Sequence, residues 1–200
     1  IKKIIMTKKS YSPDIFISGK EVNLIVVDEE LIDISNWHRW FNNEKTNINT
    51  VHHIYPNTKK LQKKYFLENI NNVSNKVQLG IFHIKDNILI GVISLNNINN
   101  LHKNCEFSAI LGEKEYQVLK YYIEAARLII AHGFNHLGMQ RIYSGTFNKD
   151  IHNVVCRLLE FKSEGIKRSA IFKNGKYNDV FTHSILRTEF LKSKVYKNKI

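Results

Sequence analysis

The sequence predicts an α+β fold, in its mixed-sheet α/β form, and three observations predict it. Strand-like and helix-like stretches follow one another in the order β-α-α-β-β-β-α-β-α-β-β. Short turns join most of the strands, so most of the sheet should be antiparallel, with a single β-α-β unit inside it. The helix of that unit, over 117–137, has the clearest period in the chain: Leu119, Ile123, Ala126, Ile130, Phe134 and Leu137 recur every three or four residues.

Each element has a local reason. Residues 20–27 are mostly apolar and β-branched, which suits a strand. Asp28 is placed to cap a helix from Glu29 to Phe41 whose face includes Leu31, Ile34 and Trp37. Asn42 to Asn57 has no period and is expected as a loop. Asn57 or Thr58 then caps a helix carrying Leu61, Tyr65 and Ile70. Residues 77–84 and 88–95 are apolar strands hinged on Lys85-Asp86-Asn87, and 104–111 is a further strand. Gly138 ends the long helix, as a residue of free φ often does. A strand at 141–147, a helix at 150–159 and a hairpin over 161–187 turning on Asn174-Gly175 complete the order.

Composition limits what the chain can be. With 43% hydrophobic and 24% charged residues in 200, it has a core's worth of apolar side chains. Disordered, collagen-like and disulfide-rich classes are excluded. The formal charge of +12 comes from 24 lysines and only 6 arginines. Residues 1–9 and 187–200 carry +4 each, leaving +4 for residues 10–186. Solvated basic ends explain that pattern better than a nucleic-acid surface, which favours arginine forks interleaved with aromatics. No apolar run reaches the roughly 18 residues of a membrane helix. Cys105 and Cys156 have no CxxC spacing, and a reduced, cytoplasmic protein is expected. His132 and His136 lie at i, i+4 without a spaced third ligand, so no metal is expected. One domain is expected over 20–190, with a basic extension at 1–19 and a basic tail at 191–200.

Four stretches resemble the GNAT superfamily of N-acetyltransferases. Ile90-Gly91-Val92-Ile93 is similar to the family's third strand, and Glu124-Ala125-Ala126-Arg127-Leu128 to its central helix. Leu137-Gly138-Met139-Gln140-Arg141-Ile142 resembles the entry to the fifth strand. Glu164-Gly165 with Phe172 to Val180 resembles the final hairpin. The resemblance implies a mostly antiparallel sheet around a β-α-β core that binds acetyl-CoA, and acetyl transfer to a primary amine. Asn36 to Asn43, Tyr55-Pro56-Asn57-Thr58 and Leu101 to Phe107 resemble a subgroup that acetylates amino sugars linked to nucleotides in surface-polysaccharide pathways. A nucleotide sugar is therefore the expected partner; neither nucleic acid nor membrane is expected, and a homodimer is compatible.

The site residues follow from that resemblance. Glu106 is the implied base, with His102 beside it, and Cys156 stands where the family's acidic tyrosine does. Ser108, Ile110, Gln117, Lys120, Tyr122 and Asn148 are the implied cofactor contacts. Trp37, Trp40, Asn42 and Asn43 would line the acceptor pocket, although two tryptophans three apart also fit a core stripe. The family's phosphate turn, R/Q-x-x-G-x-G/A, is altered: Lys120 and Tyr122 replace its glycine and small residue. Lys120 would then face the pyrophosphate and Tyr122 would intrude on it. The alternative is a degenerate domain that has lost acetyl-CoA and binds a ligand or partner, or uses another donor. The turn after the last helix is also altered, with Glu160 standing where the family keeps glycine.

Overall fold

In a computed structural model, which describes residues 11–52, 54–71 and 73–197, eight strands form one sheet in the order β1-β2-β3-β4-β5-β6-β8-β7. The strands are β1 (Ile15–Ile17), β2 (Val22–Ile25), β3 (Val77–His83), β4 (Ile88–Asn99), β5 (Asn104–Leu111), β6 (Arg141–Thr146), β7 (Lys162–Lys173) and β8 (Lys176–Leu186). The helices are α1 (Glu29–Ile34), α2 (Trp37–Trp40), α3 (Lys59–Asn69), α4 (Leu119–Asn135), α5 (Lys149–Leu158), α6 (Arg187–Lys192) and α7 (Lys194–Lys197). Only β5 and β6 pair in parallel; the other six pairings are antiparallel. The expected α+β class and β-α-β core are both present.

The capping chemistry is local. The Asp28 carboxylate accepts the Leu31 N–H at 2.6 Å, and the Thr58 hydroxyl accepts the Leu61 N–H at 3.2 Å. The single helix expected over 29–41 is two, because Ser35 is extended and stops α1. Asn174 and Gly175 both take positive φ, 52° and 75°, as the two central positions of a tight hairpin turn require.

Strand alternation splits the core between the two faces of the sheet. Leu24, Ile81, Ile93, Leu95, Phe107 and Ile142 face α4, which buries Ile123, Ala126, Ile130 and Phe134 against them. Ile25, Phe82 and Val92 face the other way, under Leu31, Ile32, Trp37, Trp40 and Phe66 of α1–α3. The Glu124 carboxylate of α4 is buried and accepts the N–H groups of Lys20 and Glu21, which ties the β1–β2 turn to the helix.

The expected boundaries need correction at both ends. Of the segment 1–19, residues 1–10 lie outside the described residues, while Ile15–Ile17 form β1. The segment 191–200 includes Tyr196, which is buried against Phe190 and donates its hydroxyl to the Leu159 carbonyl at 2.9 Å. Phe190 stacks on Phe134, so this end caps the core. No helix among the described residues is long and apolar enough to cross a membrane.

Glu160 follows the C-terminus of α5 with φ of 56°. The backbone keeps the left-handed conformation that glycine serves best, while the residue has become one that it strains. Glu160→Gly is expected to raise stability by about 0.5–1 kcal/mol, after the added chain entropy of glycine is subtracted from the relieved strain. Urea melts of the two proteins check this, and an equal or lower midpoint for the variant contradicts it.

Candidate active site

β5 and β6 hold each other for only three rungs, Asn104↔Arg141, Cys105↔Ile142 and Glu106↔Tyr143, and then separate. A cleft of about 1610 Å³ opens where they part. It continues over the sheet face opposite α4, toward the loop before α3.

Register decides which backbone groups look into the gap. Gly112 donates its N–H to Ile90 across β4, and Ser94↔Ser108 and Val92↔Ile110 are cross-strand partners. Because bonding direction alternates along a strand, Glu106, Ser108 and Ile110 spend their amides on β4. Phe107, Ala109 and Leu111 point theirs toward β6. The Arg141 N–H reaches the Lys103 carbonyl and the Gln117 side chain reaches the Leu111 carbonyl at 3.0 Å, consistent with that phase. Ala109 is therefore the first residue whose edge amide has no strand to bond. The expected contacts Ser108 and Ile110 line the cleft with side chains instead. Ala109 and Leu111 were missed because the sequence does not show the phase of the ladder.

The altered turn is less obstructive than its composition suggests. Val118 caps α4 without a side-chain bond, so the first-turn N–H groups of Leu119 and Lys120 have no intrahelical acceptor. The Lys120 ammonium lies 3.3 Å from Glu21 and over the Tyr121 ring, away from the cleft. It does not face the gap, contrary to expectation. Tyr122 stands edge-on to Phe107, with 6.4 Å between ring centroids. Its phenol is shielded, and burial pushes its pKa well up. The ring walls the cleft while Leu119 and Lys120 stay exposed. Free strand-edge amides, a helix start with free N–H groups and an open gap suit a long ligand with amides and a pyrophosphate, and acetyl-CoA fits them.

The other side of the cleft has a polar floor. Glu106 lines it and accepts a hydrogen bond from the Asn97 side chain at 3.1 Å. Its partner across the ladder is Tyr143, whose pKa is raised by burial and then by the nearby Glu106 charge. Ser94 and Ser108 share a hydrogen bond of 2.8 Å, and the Asn96 amide donates to both. Ser94 and Asn96 occur at alternate positions where the apolar run of β4 gives way to polar residues, a signal in the sequence that was passed over. Arg141 forks onto Glu164 and also donates to Ser184 at 2.7 Å, which holds the Glu164 carboxyl below its usual range.

Several expected residues are engaged elsewhere. His102 is an exposed turn residue whose N–H bonds Asn99, and it does not line the cleft. Cys156 turns its Sγ toward His152 Nε2 at 3.7 Å, behind the cleft wall, and burial raises its pKa. Asn148 caps α5 through its Oδ1 and donates to Asn49, so its amide is committed to structure. Trp40 is 3% exposed, bonds Glu113 through Nε1 at 3.0 Å, and packs so closely that a Cβ on Gly112 would lie 1.9 Å from its ring. Trp37 is fully buried beneath the cleft. Asn42 exchanges two hydrogen bonds with the Asn57 backbone, and Asn43 accepts the Thr46 N–H. Trp40, Asn42 and Asn43 are held by these bonds within the protein, while the buried Trp37 Nε1 has no hydrogen-bond partner among the described residues.

That loop is fastened from across the cleft. Lys173, next to the β7–β8 turn, donates to the carbonyls of Asn47, Thr50 and His52. Burial lowers its pKa. Asn47 is fully buried and donates to the Trp40 and Asn43 carbonyls at 2.6 and 2.7 Å.

Known proteins share this fold. The "Acetyltransferase (GNAT) domain" family matches residues 23–153. A spermidine N(1)-acetyltransferase of Escherichia coli (strain K12) is 31% identical over 104 residues, which is 50% of this chain and 54% of that protein. Across the curated relatives it matches, this chain covers 54% to 62% of their length. A Vibrio cholerae spermidine N-acetyltransferase solved with CoA and spermine superposes with a TM-score of 0.74 at 20% identity, covering 86% of this chain and 99% of that one. A ribosomal L7/L12 alpha-N-protein acetyltransferase solved with coenzyme A gives 0.76 at 20% identity, over 86% and 98%. At such identity the two structures show likeness of fold. The relatives are named for polyamine or ribosomal-protein acetylation, and the expected likeness to nucleotide-sugar enzymes finds no support among them. With the family matched over well more than half its length, this chain belongs to the GNAT acetyltransferase domain family.

Proposed function

We propose that the protein is an acetyl-CoA-dependent N-acetyltransferase acting on a primary amine. The observation that carries the reading is the end of the β5–β6 ladder at Glu106↔Tyr143, which leaves the Ala109 amide free beside a carboxylate in one cleft. Acetyl-CoA would supply the activated acetyl group there. The Ala109 N–H can donate to a carbonyl oxygen that gains negative charge, a preformed donor of the kind acyl transfer needs. The N–H groups of Leu119 and Lys120 suit a pyrophosphate.

Glu106 is the base. An amine arrives as an ammonium and must lose a proton before it can attack, and Glu106 lines the cleft with Asn97 as its one side-chain hydrogen-bond partner among the described residues. Tyr143, like any phenol, carries its proton at neutral pH, and burial raises its pKa further, so it acts as a donor at the same point. The polar floor of Ser94, Asn96 and Ser108 orients the acceptor, and the loop fastened by Lys173 encloses it.

The relatives' polyamine and protein amines support a primary amine and do not favour a nucleotide sugar. Release of CoA thiol should be measured with spermidine, a peptide with a free N-terminus and a nucleotide-linked amino sugar. Turnover with at least one amine supports the reading, and the amine that turns over fixes the acceptor class. No thiol release from any of them, together with no calorimetric binding of acetyl-CoA, overturns it and favours the degenerate-domain alternative.

Three variants refine the assignment. Glu106→Gln is expected to lower kcat/KM for the amine by about 10²–10³-fold at neutral pH with acetyl-CoA affinity retained, and a loss under about threefold removes Glu106 from the chemistry. Lys120→Ala should leave acetyl-CoA affinity within about twofold, since it breaks an exposed ion pair with Glu21 and a contact with the Tyr121 ring, both away from the cleft. A tenfold loss in calorimetry would put the ammonium on the phosphates after all. Lys173→Met should weaken closure of the 47–52 loop by roughly 1–2 kcal/mol, seen as faster deuterium uptake there and a raised acceptor KM. Unchanged uptake contradicts the fastening role.

A further inference from the structure

Among the described residues, one group of three metal-binding side chains converges: His152 and Cys156 from α5, and His183 from β8. Each offers a donor atom, and the three donors lie within 4.8 Å of one another. His152 Nδ1 and His183 Nδ1 are 2.9 Å apart, and Cys156 Sγ is 3.7 Å from His152 Nε2. The acetyl-transfer reading uses none of the three.

We propose that His152, Cys156 and His183 form a binding site for a thiophilic divalent transition metal of the Zn²⁺ class, which clamps α5 to β8. A tetrahedral Zn²⁺ with bonds of about 2.0–2.1 Å to nitrogen and about 2.3 Å to sulfur holds its nitrogens about 3.3 Å apart and nitrogen and sulfur about 3.6 Å apart. One ion takes only one nitrogen of His152, whereas His183 now bonds Nδ1 and the sulfur faces Nε2, so binding would replace the His152–His183 hydrogen bond and turn a ring, drawing together three donors that start within 4.8 Å of one another. His152 and Cys156 lie at i, i+4 and so share one face of α5. His152 and His183 are buried, and Phe161 and Phe181 pack against their rings. Such a shell disfavours charged imidazolium and leaves nitrogen lone pairs available.

His183 also borders the cleft, which gives the ion a way in and leaves a fourth position for water. The donor set of two imidazoles and a thiol favours zinc over magnesium or calcium, which take oxygen ligands. Binding balances by release of one proton. The Cys156 thiol gives up its proton to solvent and becomes a thiolate ligand, while each imidazole stays neutral with its N–H on the nitrogen turned from the metal. Since Ile151, Val154 and Val155 of α5 wall the cleft, the clamp would also stiffen that wall.

The test is Co²⁺ titration of the metal-stripped full chain, followed by Zn²⁺ competition. The expected result is one equivalent bound, with a near-ultraviolet thiolate-to-cobalt band and strong visible bands of tetrahedral cobalt, both lost when Zn²⁺ displaces it. Cys156→Ser, a conservative change at a half-buried position, should abolish the thiolate band and weaken Zn²⁺ on the order of 100-fold. His183→Ala should remove the rise in thermal midpoint that Zn²⁺ gives the parent. Circular dichroism must show both variants folded for their results to count; Cys156→Ser serves alone if His183→Ala does not fold. No stoichiometric binding, or binding that Cys156→Ser leaves unchanged, overturns the proposal, the latter assigning the metal to surface histidines.

Discussion

The site depends on two strands that cannot stay together. β5 is bound to β4 along nearly its whole length, to Gly91↔Leu111, and β6 is bound to β8 at all six of its residues. Each strand follows the twist of its own antiparallel partner. The parallel contact between them therefore lasts three rungs and fails. Everything the proposed chemistry uses comes from that failure: an unpaired strand edge inside the molecule, a gap leading from it, and helix α4 starting at its rim. An unpaired edge is normally a liability that proteins cover. Here it is kept open where a ligand can supply the missing partner groups.

Side-chain alternation then divides the labour. On β5, Cys105 and Phe107 go down into the α4 core, while Glu106, Ser108 and Ile110 come up into the cleft. The same residues that turn side chains upward give their amides to β4, and the residues between them keep amides for the gap. A strand in this position presents backbone donors and side-chain chemistry from different residues at the same time. That explains why Ala109, whose side chain has no chemistry, matters more to the proposed carbonyl contact than Ser108, whose side chain has some.

How much of this was legible in the sequence depends on whether the signal was local. The period of Leu119, Ile123, Ala126, Ile130 and Phe134 fixed α4, and Asp28, Thr58 and Asn174-Gly175 fixed starts and turns, because each acts within a few residues. The strand that carries Glu106 was legible from its own run of residues, and Glu106 lines the cleft. Trp37 and Trp40 misled, since the same spacing makes a pocket floor or a core stripe, and the close approach of Gly112 that decides it lies 72 residues beyond Trp40. His152 and His183 are 31 residues apart on different elements, so no spacing rule joins them. β1, α6 and α7 escaped notice because three to six residues are too few to show a period.

Two departures from the family pattern show how far such a site tolerates change. At Glu160 the backbone holds the left-handed turn although the glycine is gone, because α5 and β7 fix the chain on either side of it. At 117–122 the glycines are gone as well, yet the groups that the proposed pyrophosphate contact would use are N–H groups, and any residue but proline supplies one. What a side chain must do there is stay out of the way. Lys120 does so by pairing with Glu21, and Tyr122 by lying edge-on to Phe107 within the wall. A signature written in side chains thus overstates the loss when the contacts are made by backbone. The residue whose replacement should be least tolerated is instead Glu106, the one cleft carboxylate on the last shared rung of β5 and β6.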